Sequence, residues 1–245
     1  MLPLHRLRAS TASLTDTELL AAYAWPDDRR WVRAMMVTTL DGAAAGPDGL
    51  SGSLSSAGDQ LVFNTVRRRA DAVLVGAQTM RDERYTPMRA KPEDAADRAA
   101  ADQLSAPVIV VVSGSLDLPW ELPVWTESAH RPVVITETGA DPQRLATAND
   151  YADVVQLPRA TPAAIVDAVE ARGLPRIVCE GGPRLLRDLT ADGLVDEVDI
   201  TIAPLLTGTG HTPSTSTLPV PARFELAHVV ESDGFLMTRY VRGER

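Results

Sequence analysis

The chain has 245 residues, with 44 % apolar and 23 % charged side chains and a formal charge of −9. That length and balance suit one globular domain with a real core and exclude collagen-like or broadly disordered chains. The negative field excludes general attraction of nucleic acid, so a phosphorylated ligand needs local cations or helix N-termini.

In chain order, Thr15-Asp16-Thr17-Glu18 has capping-box spacing and predicts a short amphipathic helix to Ala24. Residues 31–40 form a β-branched and apolar run that Asp41-Gly42 ends, so a strand is expected. A Gly/Ser-rich loop over 46–58 follows. Ser56 then caps a helix whose apolar face is Leu61, Val62, Val66 and Ala70. Residues 71–75 read as a buried strand that runs into Gly76. The stretch 81–106 is charged and Ala-rich, with Pro87 and Pro92, and is expected to be a mobile surface segment with a helical turn or two.

Residues 107–112 form a second buried strand, ended by Ser113-Gly114, and 131–136 and 153–157 are further short strands. Thr161-Pro162 opens a helix with a cap residue and Pro at its first position, and Gly173 closes it. Residues 176–180 make a strand. Gly181-Gly182-Pro183 starts another helix, which ends near Gly193. After a strand over 198–203, residues 224–231 and 235–241 flank Ser232-Asp233-Gly234 as an antiparallel hairpin. Short apolar strands alternating with helices predict an α/β fold with a mainly parallel sheet, covered on both faces and finished by an antiparallel edge. The whole chain, 1–245, reads as one domain with a 1–30 extension.

Cys179 is the single cysteine, which excludes a disulfide framework and a His/Cys/Cys deaminase zinc site. His5, His130, His211 and His228 have no metal-ligand spacing, so no metal is expected. Residues 1–8 lack a following apolar h-region, and no run of about 18 apolar residues occurs. A cytoplasmic address without membrane partners is the expectation.

Three strand ends carry small or hydroxylated turns. At Glu180-Gly181-Gly182-Pro183 the glycines admit a ligand to the backbone, and the new helix favours a diphosphate. A tight βα turn without ligand fits that stretch equally well. In Gly76-Ala77-Gln78-Thr79, Thr79 either donates its hydroxyl to a ligand or caps the next helix. Ser113-Gly114 either receives a ribose 2′-phosphate or makes a plain turn. Ligands of open α/β sheets bind beyond the carboxyl ends of strands, so the three together are more informative than any one.

Asp41 is a substrate contact or half of an Asp-Gly turn. Asp59 is a buried carboxylate that handles protons, or the partner of Ser56 in a capping box. Arg67-Arg68-Arg69 bind a substrate phosphate or favour a helix C-terminus. Glu180 bonds substrate or lies on the rim.

Taken in order, several stretches resemble one family. They are Thr39-Leu40-Asp41-Gly42, Arg67 with the run from Ala70 to Thr79, Glu180-Gly181-Gly182-Pro183, Leu194-Val195-Asp196-Glu197, and Ile202-Ala203-Pro204 with Gly208. The family is the reductase domain of bacterial bifunctional riboflavin-biosynthesis proteins, and the segment from Tyr23 to Trp31 resembles a stand-alone actinobacterial branch of it. The resemblance implies a dihydrofolate-reductase-like three-layer fold, NADPH as cofactor, a small heterocyclic substrate and a homodimer. The reaction it implies reduces the ribosyl group of a 5-amino-6-(phosphoribosylamino)uracil-type pyrimidine to a ribityl group by hydride transfer. Carried over position by position, Val37, Gly76, Thr79, Ser113, Gly181, Gly182, Pro183, Arg184 and Leu185 fall on cofactor contacts. Ser51, Arg67 and Glu180 fall on substrate contacts, and Asp41 lies beside the nicotinamide region.

More distantly, Ser56-Ala57-Gly58-Asp59-Gln60-Leu61 with Phe63 is similar to dihydrofolate reductase, which implies a pterin-binding role for Asp59. Asp41, Asp59 and water are thus the candidate proton sources. Reduction of a pterin-like heterocycle and cofactor binding without catalysis are the alternative functions. The chain departs from the riboflavin enzymes after Thr79. Their usual Asp-Asp-Pro and phosphate-holding arginine are replaced by the run from Arg81 to Arg89, where Arg84 and Arg89 are the substitutes on offer. Met35 stands where a lysine is common.

Overall fold

The computed structural model describes residues 13–208 and 218–243. His5, His211 and the stretch 1–8 lie outside the described residues. A nine-stranded sheet has the order β5-β4-β3-β2-β6-β1-β7-β9-β8. The strands are β1 (Trp31–Thr39), β2 (Ala72–Gly76), β3 (Val108–Val112), β4 (Val133–Glu137), β5 (Asp153–Leu157), β6 (Arg176–Cys179), β7 (Glu197–Ala203), β8 (Glu225–Ser232) and β9 (Phe235–Val241). Those from β5 to β7 pair in parallel, while β9 is antiparallel to both β7 and β8. The β8–β9 turn uses Asp233 at φ 51° and Gly234 at φ 83°. Two successive positive φ values suit the right-handed twist of a hairpin, as the Asp-Gly pair implies.

Helices cover both faces. They are α1 (Asp16–Ala22), α2 (Ala57–Arg69), α3 (Ala77–Glu83), α4 (Ala95–Ala100), α5 (Val124–Glu127), α6 (Pro142–Tyr151), α7 (Pro162–Glu170) and α8 (Pro183–Ala191). Alternation along β2 makes two cores. Val73 and Val75 pack with Leu19, Val62, Val66, Met80 and Trp125 on one face. Ala72 and Leu74 pack with Ile165, Val166, Val169, Leu185 and Leu189 on the other. A strand buried on both faces reads as the continuous apolar run seen at β2 and β3.

The sequence expectations need four adjustments. Helix α1 has its full capping box but stops at Ala22. Leu61 is 56 % exposed, so the apolar face of α2 is Val62, Val66 and the following Ala70. Helices α5 and α6 were unexpected, although Asp141-Pro142 is the same cap-plus-proline signal as Thr161-Pro162. The stretch 81–106 is more than a surface segment, because Met88, Asp94 and Arg98 are buried in it. Arg98 donates to the carbonyls of Arg68 (2.9 Å) and Ala70 (3.0 Å), closing the C-terminal end of α2. Asp94 accepts from Arg68 Nε at 2.6 Å. Side chains that are long and charged escape an apolar-periodicity reading, yet here they bury by satisfying backbone carbonyls.

Helix α1 is docked by two arginines from the sheet. Arg33 donates to the carbonyls of Tyr23 and Ala24, each at 3.1 Å, and Arg239 to that of Ala22 at 2.8 Å. Cations at a helix C-terminus satisfy carbonyls that have no intrahelical partner. Glu197 balances both arginines, lying 2.8 Å from Arg33 Nε and 2.7 Å from Arg239 Nε.

Candidate active site

The sheet order places the C-terminal ends of β3, β2, β6 and β1 side by side. The chain leaves β2 outward through β3, β4 and β5, then returns to insert β6 between β2 and β1. The covers differ across this point. Met80 of α3, after β2, packs on one face, and Leu185 and Leu189 of α8, after β6, on the other. Such a reversal opens a crevice at the strand ends, where α/β folds bind ligands.

Four predicted cofactor residues meet in that crevice. Gly76 N donates to Gly181 O at 2.9 Å. A Cβ on Gly76 would lie 3.4 Å from Gly182 N, and one on Gly182 would lie 2.8 Å from Thr79 Oγ1. Gly181 has φ +95°, and the Gly181–Gly182 peptide is cis. Glycine at 181 and 182 is therefore required by backbone angle and by close approach respectively. Gly182 is the N-cap of α8, with Pro183 at its first position and the first intrahelical bond running from Leu186 N to Gly182 O. The N–H groups of Arg184 and Leu185 precede that bond, which is the arrangement that holds a diphosphate. These features fit a dinucleotide phosphate. Met36 also belongs here, since its Sδ is 3.9 Å from a Cβ built on Gly181; nothing in the sequence marks it.

Ser113 follows the adjacent strand β3, but its side chain turns inward. The residue is 2 % exposed, and its Oγ accepts from Leu116 N at 3.0 Å. Gly114 beside it faces open space. Val37 sits in β1 opposite Thr201 of β7. Met35 is a core residue.

Arg67 and Glu180 come from α2 and the end of β6 and form a two-pronged pair, with Nε to Oε1 at 2.6 Å and Nη2 to Oε2 at 2.5 Å. Tyr85 donates its hydroxyl to Glu180 Oε2 at 2.9 Å. Phe63 stacks against the Arg67 guanidinium at 4.1 Å. Burial opposes the charge on Arg67, but the Glu180 carboxylate more than offsets this and holds its pKa above the ordinary arginine value. Burial, and then Glu180, push the Tyr85 hydroxyl well above the usual tyrosine range, so it stays a donor. Ser51 joins the same side through its N–H, which donates to Glu83 Oε1 at 2.9 Å. Tyr85 and Glu83 lie in the run that departs from the riboflavin enzymes, and no sequence signal marks either. Of the substitutes on offer there, Arg89 is paired with Glu127, and Arg84 adopts a left-handed φ of 46° at the end of α3.

The two carboxylates proposed for proton handling differ. Asp41 accepts from the Thr39 hydroxyl and from Gly208 N at 2.7 Å, tying the end of β1 to the chain after β7. The Thr39 hydroxyl and then the Gly208 N–H hold its carboxyl below the usual range, so it stays ionised and is a poor proton donor. Asp59 is 7 % exposed. Its carboxylate accepts from Thr201 Oγ1 at 2.5 Å and from the Ser55 hydroxyl. Ser56 accepts from Asp59 N, but the carboxylate does not return to Ser56, so the capping box read from sequence is only half formed. Among the described residues no cluster of His, Cys, Asp and Glu can hold a metal. No described helix is long and apolar enough to cross a membrane.

Comparison with known proteins agrees with this geometry. The chain is 32 % identical over 184 residues to the 2,5-diamino-6-ribosylamino-4(3H)-pyrimidinone 5′-phosphate reductase of Methanothermobacter thermautotrophicus, spanning 74 % of this chain and 80 % of that protein. It is 28 % identical over 171 residues to the riboflavin biosynthesis protein RibD of Synechocystis, but spans only 44 % of that longer relative. The solved structure of a pyrimidine reductase-like protein from Corynebacterium diphtheriae superposes with a TM-score of 0.74 and 28 % identity, covering 88 % of this chain and 93 % of that one. The family model described as the RibD C-terminal domain matches residues 30–235, and the chain belongs to that family.

Proposed function

We propose that this chain is an NADPH-dependent reductase that converts the ribosyl group of a ribosylaminopyrimidine 5′-phosphate to a ribityl group in riboflavin synthesis. The observation that carries the reading is the joining of Gly76, Thr79, Gly181 and Gly182 at one strand-end crevice, beside the Arg67–Glu180 pair. The names of the archaeal and corynebacterial relatives support it. We place the enzyme in the cytoplasm and expect a homodimer.

When bound, the cofactor supplies the hydride. The protein supplies orientation and charge. The α8 N-terminus, the two glycines and the Thr79 hydroxyl are the groups that would hold the diphosphate. Glu180, braced by Arg67 and Tyr85, keeps acceptor capacity for substrate hydroxyl or amino groups. Asp41 holds the β1 end against the chain after β7 and stays ionised, so the proton that accompanies the hydride comes from water or by way of Asp59.

The test is NADPH oxidation with the deaminated and the 2-amino forms of the phosphoribosylaminopyrimidine. Turnover of either supports the reading, and none at saturating substrate sinks it. Gly182→Val should raise the NADPH dissociation constant at least about a hundredfold, because its side chain would enter the space of Thr79 and of the diphosphate. Unchanged binding by titration would remove the glycine turn from the cofactor site. A second reading, reduction of a pterin-like heterocycle, is favoured by the inward-facing Asp59 carboxylate. It predicts dihydropterin turnover that Asp59→Asn abolishes.

A further inference from the structure

The glycine turns stand in the middle of the sheet, at the ends of β2 and β6. The groups proposed for substrate and proton lie to one side of them. Glu180 follows β6, Asp41 follows β1, and Asp59 reaches Thr201 of β7. A dinucleotide held by its diphosphate at the turns, with its nicotinamide facing those groups, sends its adenosine half the other way, toward β3 and β4. That half alone distinguishes NADPH from NADH, by a phosphate on the 2′ oxygen of its ribose.

The register puts the β3 side within reach. Gly76 pairs with Val112, so Ser113-Gly114-Ser115 begins one strand spacing, about 4.8 Å, from the glycine turn. Ser113 itself is buried, with its Oγ bound to Leu116 N, so it presents no hydroxyl to a ligand. Gly114 is exposed, and nothing lies within 4 Å of a Cβ built on it. Ser115 is exposed too, and its Oγ accepts from Asp117 N at 3.3 Å, which leaves its O–H to donate.

Two arginines converge on this loop from different helices. Arg144 of α6 donates Nη1 to Ser115 O at 3.0 Å, and Arg81 of α3 donates Nη1 to Asp117 O at 2.5 Å. Neither pairs with a carboxylate among the described residues. The Asp141 carboxylate, three residues before Arg144, accepts from the N–H groups of Gln143 and Arg144 as the cap of α6. Arg81 has its Nη2 on Gln78 Oε1 at 2.7 Å. Arg144 makes no further side-chain hydrogen bond among the described residues, so its Nε and Nη2 remain for a ligand. A guanidinium anchored at one end by a carbonyl holds its other N–H groups as a fork, which suits phosphate oxygens. In a chain of formal charge −9, a dianionic group needs such local cations.

We propose that Arg144 is the specificity-determining residue that binds the 2′-phosphate of NADPH, with Arg81 as a second, weaker cation at the same loop; this rests on the reading that the chain takes NADPH. The β3 turn then supplies open backbone and the Ser115 hydroxyl, and the charge comes from α6, an element outside the glycine crevice.

The test is calorimetric titration of the full-length protein with NADPH, NADH and 2′,5′-ADP, which carries the 2′-phosphate without a nicotinamide. The unmodified protein should bind NADPH at least about tenfold more tightly than NADH. Arg144→Gln should raise the dissociation constants of NADPH and 2′,5′-ADP roughly ten- to thirtyfold, the loss of one charge-assisted contact, and leave that of NADH within about twofold. Arg144→Lys keeps the charge without the fork and should fall between the two. Arg81→Gln should weaken NADPH about threefold. Arg144 is exposed in the first turn of α6, so the substitutions leave the fold intact. Equal weakening of NADPH and NADH by Arg144→Gln overturns the assignment, as does unchanged NADPH binding or an unmodified protein that binds NADH as tightly as NADPH. In each of those outcomes the reductase reading stands. An unmodified protein that binds neither dinucleotide overturns that reading, and the assignment with it.

Discussion

Arg33–Glu197 and Arg67–Glu180 are both arginine–glutamate pairs that join distant parts of the chain, yet their surroundings are opposite. Arg33 and Glu197 are 0 % exposed. Their remaining capacity is taken by protein: Trp31 Nε1 donates to Glu197 at 2.9 Å, Arg239 donates to it as well, and Arg33 donates to the end of α1. In the second pair Arg67 keeps 21 % of its side chain exposed and Glu180 keeps 3 %. That pair stands beside the glycine turn, and its brace, Tyr85, comes from the segment in which this chain departs from the riboflavin enzymes. Identical chemistry therefore serves to dock a helix in one place and to present a carboxylate at the crevice in the other. What separates the roles is exposure: protein encloses the first pair completely, whereas the Arg67 side chain stays partly open beside the glycine turn.

Four changes bear on that contrast. The largest effect is expected from Glu197→Gln, which leaves the buried Arg33 guanidinium and the partly buried Arg239 guanidinium short of a counter-charge. Stability measured by urea unfolding should fall by about 3–5 kcal/mol, with kcat/KM of the folded fraction kept within about threefold. Lost activity with unchanged stability would break the assignment of that pair to the fold.

Glu180→Gln should do the reverse. We expect kcat/KM to drop about a hundredfold, or about 2.7 kcal/mol of transition-state stabilisation, with little change in urea midpoint. A stability loss as large as that of Glu197→Gln would make both pairs structural.

The third change concerns pH. Burial pushes the Asp199 carboxyl well above its ordinary value of 3.8, against the pull of Arg33. Burial also works to raise Glu197, but Arg33 and Arg239 more than offset it and hold that carboxyl low. A raised acid binds its proton more tightly when folded. The stability it contributes is therefore full below about pH 4 and is lost as pH rises through the folded-state value. Asp199→Asn imitates the protonated acid at every pH. It should flatten the decline of the thermal midpoint on the alkaline side and leave catalysis alone. Parallel midpoint curves for the two proteins would show that Asp199 does not titrate differently on folding.

The smallest effect is expected from Tyr85→Phe. It removes one hydrogen bond to Glu180, worth about 1 kcal/mol, and should lower kcat/KM about fivefold. Phenylalanine keeps the ring against Arg67, so stability should fall by no more than that one hydrogen bond, about 1 kcal/mol. No change in either KM or kcat would mean that Arg67 alone orients Glu180.

Much of this fold is legible in the chain because local signals repeat what packing requires. The apolar runs of β2 and β3, the Thr161-Pro162 start of α7 and the Asp233-Gly234 hairpin are each specified within a few residues. The glycine turn is legible for the same reason: a strand, two glycines and a proline lie in series. Ser51 was reached only through resemblance, whereas Arg67 and Glu180 were legible only as alternatives to a helix C-terminus and a rim carboxylate, since a charged residue at a strand or helix end has no periodicity to betray its role. Arg98, Asp94 and Tyr85 escaped because the segment that holds them is charged and Ala-rich.

By itself, then, the sequence determined the alternation of strands and helices, the two-sided burial of the central strands and the backbone freedom at Gly181 and Gly182. Those depend on local propensity and on periods of two and 3.6 residues. Tertiary structure alone decided that Gly76 meets Gly182, that Asp59 turns to Thr201 instead of its own cap, and which arginine each glutamate holds. Those pairings span 106 residues at the glycines (Gly76 to Gly182), 142 at Asp59, 113 at Glu180 and 164 at Glu197. Partners so far apart are chosen by sheet order and by the cost of leaving a buried charge or lone pair unpaired, and neither is written in any short stretch of chain.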